Sequence, residues 1–220
     1  MQALLSPDIV VKEVLIAGEP EALLDSEKTF AEGSVPSRAR EFAFGRQCAR
    51  SALLELDVAA RPIPVGPNRE PIWPTGIVGS ITHNSAKCIA AVSFSCDFTG
   101  IGIDLESNLP LPEGLLRFVA SETEISQLAS LPPEFCWDRL LFVIKESIFK
   151  LYFPITHTWL GFKDVFVRLN IETASFHATI ARAKCTNDVL PWLPDLIGRY
   201  AVSHYELMSA ISLSCSVSTN

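Results

Sequence analysis

The chain has 220 residues, 48% of them apolar and 20% charged, and a formal net charge of −7. That length and apolar content support a folded core and exclude a disordered chain or a collagen-like rod. The acidic balance excludes a broad basic nucleic-acid footprint, so no nucleic-acid partner is expected.

The run from Ile9 to Ile16 reads as a strand, and an acidic stretch from Glu19 to Glu32 follows it. Gly33, Ser34 and Pro36 then punctuate the chain. From Ser37 to Leu56 the apolar residues Phe42, Ala49, Leu53 and Leu56 recur at helical spacing, with Ser37 as the expected N-cap. The segment from Arg61 to Gly76 carries five prolines in sixteen residues and reads as a functional loop. Strands are expected over Val78–Thr82, Cys88–Phe94 and Ile101–Leu105. Ser121-Glu122-Thr123-Glu124 has the form of a capping box opening a short helix. A longer helix is expected from Pro132 and Pro133 to about Tyr152, with Pro154 marking its end. Strands over Val165–Leu169, Ser175–Ala181, Arg199–His204 and Ala210–Ser214 complete a mixed α/β pattern.

The longest near-apolar stretch, Cys88 to Phe94, is strand-sized, so no membrane span is expected. The first residues lack a basic region and reach Pro7 and Asp8 early, which argues against a secretory signal. Cys48, Cys88, Cys96, Cys136, Cys185 and Cys215 include no C-x-x-C pair, and reduced thiols in a cytoplasmic protein are the expectation. A weak internal echo links Glu41–Arg50 with Leu141–Lys150, one hundred residues on. It is compatible with two similar halves.

Three groups of residues could carry chemistry. Asp104 and Glu106 lie two apart in an expected strand, so their carboxylates share a face. Such a pair is either a solvated strand end or an oxygen-donor site for a hard cation such as Mg²⁺. Glu146 and Lys150 share a helix face one turn apart, flanked by Phe142 and Phe149. They form either a surface ion pair or a carboxylate facing a metal with a lysine facing phosphate. Gly79-Ser80-Ile81-Thr82-His83-Asn84 places hydroxyls and an imidazole at a strand end. It serves either as a capped turn or as a phosphate contact.

Taken in order, five motifs resemble the 4′-phosphopantetheinyl transferase family. They are G-R-x-x-A-R (Gly45–Arg50), N-R-E-P-x-W-P (Asn68–Pro74), G-S-I-T-H (Gly79–His83), G-I-D-L-E (Gly102–Glu106) and K-E-S-x-F-K (Lys145–Lys150). The set is most similar to the larger monomeric type that includes the enterobactin-synthase component D branch. The resemblance covers roughly residues 37–169. It implies a pseudo-twofold α/β (α+β) fold of two similar halves, 1–108 and 109–220, with the active site between them. It implies a monomer that moves phosphopantetheine from coenzyme A to a serine of an acyl or peptidyl carrier protein, with Mg²⁺ as cofactor. Asp104, Glu106 and Glu146 match the metal carboxylates, and Glu146 also matches the base that deprotonates the serine. Lys150, a second catalytic position, matches a coenzyme A phosphate contact, as does His83. Thr82 matches a pyrophosphate-binding hydroxyl, Arg46 and Arg69 match basic positions around the nucleotide, and Lys28 aligns loosely with a further phosphate contact. The chain departs from the family pattern in the bulky Phe142-Val143-Ile144 and Leu151-Tyr152-Phe153, neither of which removes a catalytic group. A non-catalytic coenzyme A- or carrier-binding protein of the same fold is the alternative; it predicts erosion of the carboxylates, and all three are present. The pathway served, whether siderophore, polyketide or fatty acid, stays open.

Overall fold

The computed structural model describes residues 1–181 and 195–215. Among them the chain forms β1 (Val10–Leu15), α1 (Asp25–Glu32), α2 (Pro36–Glu55), β2 (Ile77–His83), β3 (Lys87–Phe94) and β4 (Phe98–Ser107). It continues with α3 (Leu116–Val119), α4 (Glu122–Ala129), α5 (Trp137–Thr156), β5 (Val165–Asn170), β6 (Ser175–Ile180), β7 (Asp195–Val202) and β8 (Glu206–Ser214). This is the mixed α/β class that the strand and helix patterns imply. The chain divides into two compact units, Met1–Ile101 with the chain from Ser212 onward, and Gly102–Ile211. No helix among the described residues is long and apolar enough to cross a membrane.

In the first unit, β1 and β2 flank β3 in an antiparallel sheet. β3 is buried along almost its whole length, because strands on both edges and a helix cover it. Phe44, Cys48, Ala49, Ala52 and Leu53 repeat at helical spacing on α2 and pack with Cys88, Ala90 and Val92 of β3 and Ile77 of β2. Small side chains on this face let helix and sheet approach closely. α2 begins at Pro36 with Val35 as its cap, two residues before the expected cap Ser37, since proline is preset for a first helical position.

The second unit is built on a sheet of order β4-β8-β7-β6-β5. β6 and β7 alternate buried and exposed residues, the pattern of a sheet with one wet face. α5 starts at Trp137, later than the expected Pro132–Pro133, and runs through Pro154 to Thr156. The indole of Trp137 donates to the Pro132 carbonyl, and the backbone N–H of Cys136 donates to Asn108 Oδ1 at 3.0 Å. Those bonds hold the two prolines in a lead-in outside the helix. Pro154 forfeits only the N–H that would have reached the Lys150 carbonyl, and the last turn is closed instead by His157, whose N–H bonds Phe153 O at 2.8 Å. His157 sits in the left-handed region at φ 51°.

The echo segments fall in α2 and α5, both 20 residues long. Of the bulky α5 residues noted above, Val143, Ile144, Leu151, Tyr152 and Phe153 are all buried. Their bulk fills the core. Cys48, Cys88, Cys96, Cys136 and Cys215 are free thiols, and Cys185 lies outside the described residues.

α5 meets β4 at Gly102. A Cβ there would overlap the Ser147 carbonyl oxygen and come within 2.9 Å of Leu151 Cβ and N. Ser147 is fully buried, donates from Oγ to Ile144 O at 2.7 Å, and lies 2.7 Å from Ser209 Oγ of β8. Backbone lies on both sides of this contact, so neither element can yield cheaply. Gly102→Ala is expected to lower stability by about 1–3 kcal/mol, the usual cost of overpacking. Urea unfolding of the variant measures it; an unchanged midpoint contradicts the packing described.

Candidate functional site

Gly102, Asp104 and Glu106 alternate along β4 and therefore share the face that meets α5. Asp104 is 6% exposed, and Lys150 Nζ donates to its Oδ1 at 2.7 Å. Glu106 is half-exposed and faces Arg139 Nη1 at 3.7 Å. Glu146, half-buried on α5, carries a carboxyl pushed above its ordinary value. Burial is the main cause and the charge of Asp104 the next; Lys150 works against them, and Glu106 adds to the rise. Glu106 is pushed up by burial and then by Asp104, with Arg139 and Lys150 opposing. The charge of Asp104 therefore weighs on both glutamates, although forty-two positions of sequence separate it from Glu146. Oxygen donors of like charge suit a hard cation, and here Lys150 and Arg139 offset part of that charge. Among the described residues no group of three or more His, Cys, Asp or Glu side chains is placed to hold a metal ion. Asp104 and Glu106 are instead turned toward Lys150 and Arg139.

A pocket of about 170 Å³ adjoins Glu146. Phe149, Trp159, Leu160 and Phe162 give it an apolar lining. Trp159 meets Phe149 edge-on at 5.0 Å and is 63% exposed. Lys145 forms part of the wall, but its ammonium is spoken for. It donates to Val119 O at 2.8 Å, Phe162 O at 2.9 Å and Glu124, whose two oxygens lie 2.8 and 3.0 Å away. Glu124 Oε2 also accepts from the Ser121 N–H at 2.7 Å and its Oγ at 2.8 Å, and Oε1 accepts from Val167 N at 2.9 Å. The expected capping box is present, and its glutamate is also the buried partner of the K-E-S lysine.

The remaining sequence-derived positions lie in the first unit. Thr82 is buried near the end of β2, and His83 follows it with Nδ1 3.8 Å from Glu41 Oε2. Asn84 closes the hairpin, its Oδ1 accepting from Ala86 N at 2.9 Å and Lys87 N at 3.0 Å. Arg46 is buried, donates from Nε to Ile63 O at 2.7 Å and lies over the Phe42 ring at 4.3 Å. Burial brings its pKa down to about 10, so it stays charged at neutral pH. Glu27, fully buried, accepts from Ile63 N at 2.9 Å and Arg50 Nη1 at 2.9 Å. Both backbone groups of Ile63 are thus anchored, which fixes the start of the proline-rich loop. Within the loop, Val65 bridges Pro71, Gly66 N donates to Glu70 O at 2.8 Å, and exposed Arg69 occupies the turn at φ 71°. Trp73 Nε1 donates to Gly79 O at 3.0 Å, and its ring occupies the space that a Cβ at residue 79 would need. Lys28 pairs with Asp25 at 2.7 Å.

Residues 26–93 match the 4′-phosphopantetheinyl transferase N-terminal domain, and residues 100–203 match the 4′-phosphopantetheinyl transferase superfamily. The chain is 36% identical over 194 residues to the 4′-phosphopantetheinyl transferase Npt of Nocardia iowensis, covering 85% of this chain and 87% of that protein. The chain belongs to the 4′-phosphopantetheinyl transferase superfamily. A second relative, the 4′-phosphopantetheinyl transferase PptT of Mycobacterium tuberculosis, is 34% identical over 86% of each chain. Enterobactin synthase component D of Salmonella typhi matches at 34% over 119 residues, 52% of this chain and 48% of that protein. As a phosphopantetheinyl transferase, the protein is an enzyme that uses coenzyme A and modifies carrier proteins.

Arg139, the Glu124–Lys145 pair and the Trp159 pocket had no signal in local spacing. The only hint was Phe149 beside the Glu146–Lys150 stripe.

Two outcomes follow from this geometry. Lys145→Met leaves Glu124 buried without its cation and should cost about 3–5 kcal/mol in a urea titration; a loss below 1 kcal/mol contradicts the described pairing. Glu146→Gln removes like charge and should raise the melting temperature of the metal-free transferase by roughly 2 °C at neutral pH. A carboxyl whose folded pKa is raised is destabilising when ionised, so this advantage shrinks as pH falls through that raised value. It is gone below the ordinary 4.5. Melting curves across that range check both size and sign.

Proposed function

We propose that Asp104, Glu106 and Glu146 together hold Mg²⁺ and that Glu146 also takes the proton of the carrier serine. The supporting observation is the close packing of α5 on β4 at Gly102, on the strand face that carries Asp104 and Glu106; the charge of Asp104 pushes Glu106 and Glu146 toward protonation. When bound, Mg²⁺ supplies positive charge for the pyrophosphate oxygens of coenzyme A. Lys150 has three donors. One engages Asp104, and another is available to a phosphate oxygen. Thr82 and His83 are assigned to further phosphate contacts, and Arg46 and Arg69 to the nucleotide, on the strength of the family motifs. Arg46 contributes by anchoring the loop that carries Arg69, since its Nε is committed to Ile63. The apolar pocket beside Glu146 is assigned to the pantetheine arm, whose largely uncharged chain suits a lining of Phe149, Trp159, Leu160 and Phe162.

In the reaction, the serine oxygen bonds to the β-phosphorus while the bond from that phosphorus to the leaving 3′,5′-ADP breaks. The hydroxyl proton passes to Glu146, directly or through one water. We further read the enzyme as a cytoplasmic monomer.

Mass spectrometry of an apo-carrier protein incubated with the enzyme, coenzyme A and Mg²⁺ tests this reading. The wild type should add one phosphopantetheine per carrier. Glu146→Gln should slow the addition at least ~10²-fold, the typical loss for a positioned base, and excess Mg²⁺ should not restore it. A variant that reaches the wild-type rate at high Mg²⁺ would show that Glu146 is a ligand only.

A further inference from the structure

The chain leaves β4 at Ser107 and runs straight into a short strap, residues 108–111, one step beyond Glu106. The first turn of α5 holds this strap from above. Asn108 Oδ1 accepts from Cys136 N at 3.0 Å, and Leu111 N donates to Asp138 Oδ2 at 2.9 Å. The two carbonyls between them both go to one side chain. Arg139 donates from Nε to Leu109 O at 3.1 Å and from Nη2 to Pro110 O at 2.9 Å. Its remaining nitrogen, Nη1, stands 3.7 Å from Glu106 Oε2. A guanidinium is a rigid planar fork, so fixing two of its nitrogens on backbone fixes the third. Nη1 is thereby aimed at the carboxylate by the same contacts that pin the backbone following it.

We propose that Arg139 is the positioning residue of the carboxylate cluster: by pinning the 108–111 strap it sets where the backbone of Glu106 stands, and with it the reach of that carboxylate toward a divalent cation shared with Asp104 and Glu146. The proposal rests on the assignment of the three carboxylates to Mg²⁺. Its distance from Glu106 exceeds that of a direct hydrogen bond, so Arg139 steers the carboxylate without sealing it off. Outer partners of this kind commonly govern metal affinity by ten- to a hundredfold.

The experiment is a Mg²⁺ titration of the metal-free enzyme followed by melting temperature, on wild type, Arg139→Lys and Arg139→Gln, with coenzyme A affinity measured in parallel by calorimetry. Lysine keeps the charge but cannot make the fork, and glutamine removes the charge as well. If Arg139 positions Glu106, both variants need about tenfold more Mg²⁺ for half the stabilisation, and their affinity for coenzyme A in metal-free buffer is unchanged. A wild-type response in Arg139→Lys overturns the proposal, because charge alone would then suffice. Tighter Mg²⁺ binding in Arg139→Gln also overturns it, leaving Arg139 as a cation that merely competes for the site. If the wild type itself gains no stability from Mg²⁺, the carboxylate assignment fails, and the role of Arg139 fails with it.

Discussion

The contact on which the candidate site depends is the one between Gly102 and the backbone of Ser147. Helix backbone lies where a side chain would stand on the strand, so the close approach of α5 to β4 here requires a glycine. Two residues further along the same strand face come Asp104 and then Glu106, while Glu146 and Lys150 flank the contact on the helix. One steric coincidence therefore sets four ionisable groups beside each other. Because the contact is backbone against backbone, it holds the elements more firmly than flexible side chains could. The charge cluster is costly, with Glu146 and Glu106 both pushed toward protonation. A rigid frame is what keeps such groups from moving apart.

Each unit also contains one buried glutamate that ties a long helix to irregular chain. Glu27 joins Arg50 of α2 to the backbone of Ile63, and Glu124 joins Lys145 of α5 to α4 and β5. Both carboxylates are buried within these contacts. Buried ion pairs are poor evidence of net stability, but breaking one is expensive. Their value here is geometric: Glu27 fixes the loop bearing Arg69, and Glu124 with Lys145 fixes the wall of the pocket beside Glu146.

Local spacing revealed the parts of the site that are themselves local. The period of two made Asp104 and Glu106 neighbours, the one-turn offset made Glu146 and Lys150 neighbours, and Ser121 to Glu124 announced a capping box. It could not join the strand pair to the helix pair, because that join depends on a glycine whose partner is forty-five residues away. Gly102 was read as part of a motif and not as a packing surface. The role of Lys145 rests on partners from α3, α4 and the Phe162 turn, which its place in K-E-S-x-F-K does not reveal. Pro154 looked like a helix end because its effect on one hydrogen bond is visible in sequence, whereas the burial of Leu151, Tyr152 and Phe153 that carries the helix past it is not. Arg139 was silent for the same reason, since its partners are backbone carbonyls with no residue signature.

The most direct test of the central claim is a double-mutant cycle on metal-free stability, using Asp104→Asn, Glu146→Gln and the double variant. If β4 and α5 press these two carboxylates together, either substitution removes their mutual repulsion and the second has none left to relieve. The two effects should then miss additivity by at least about 0.5 kcal/mol at neutral pH. Strict additivity would mean that the two carboxylates do not sense each other, and the site as described would not exist.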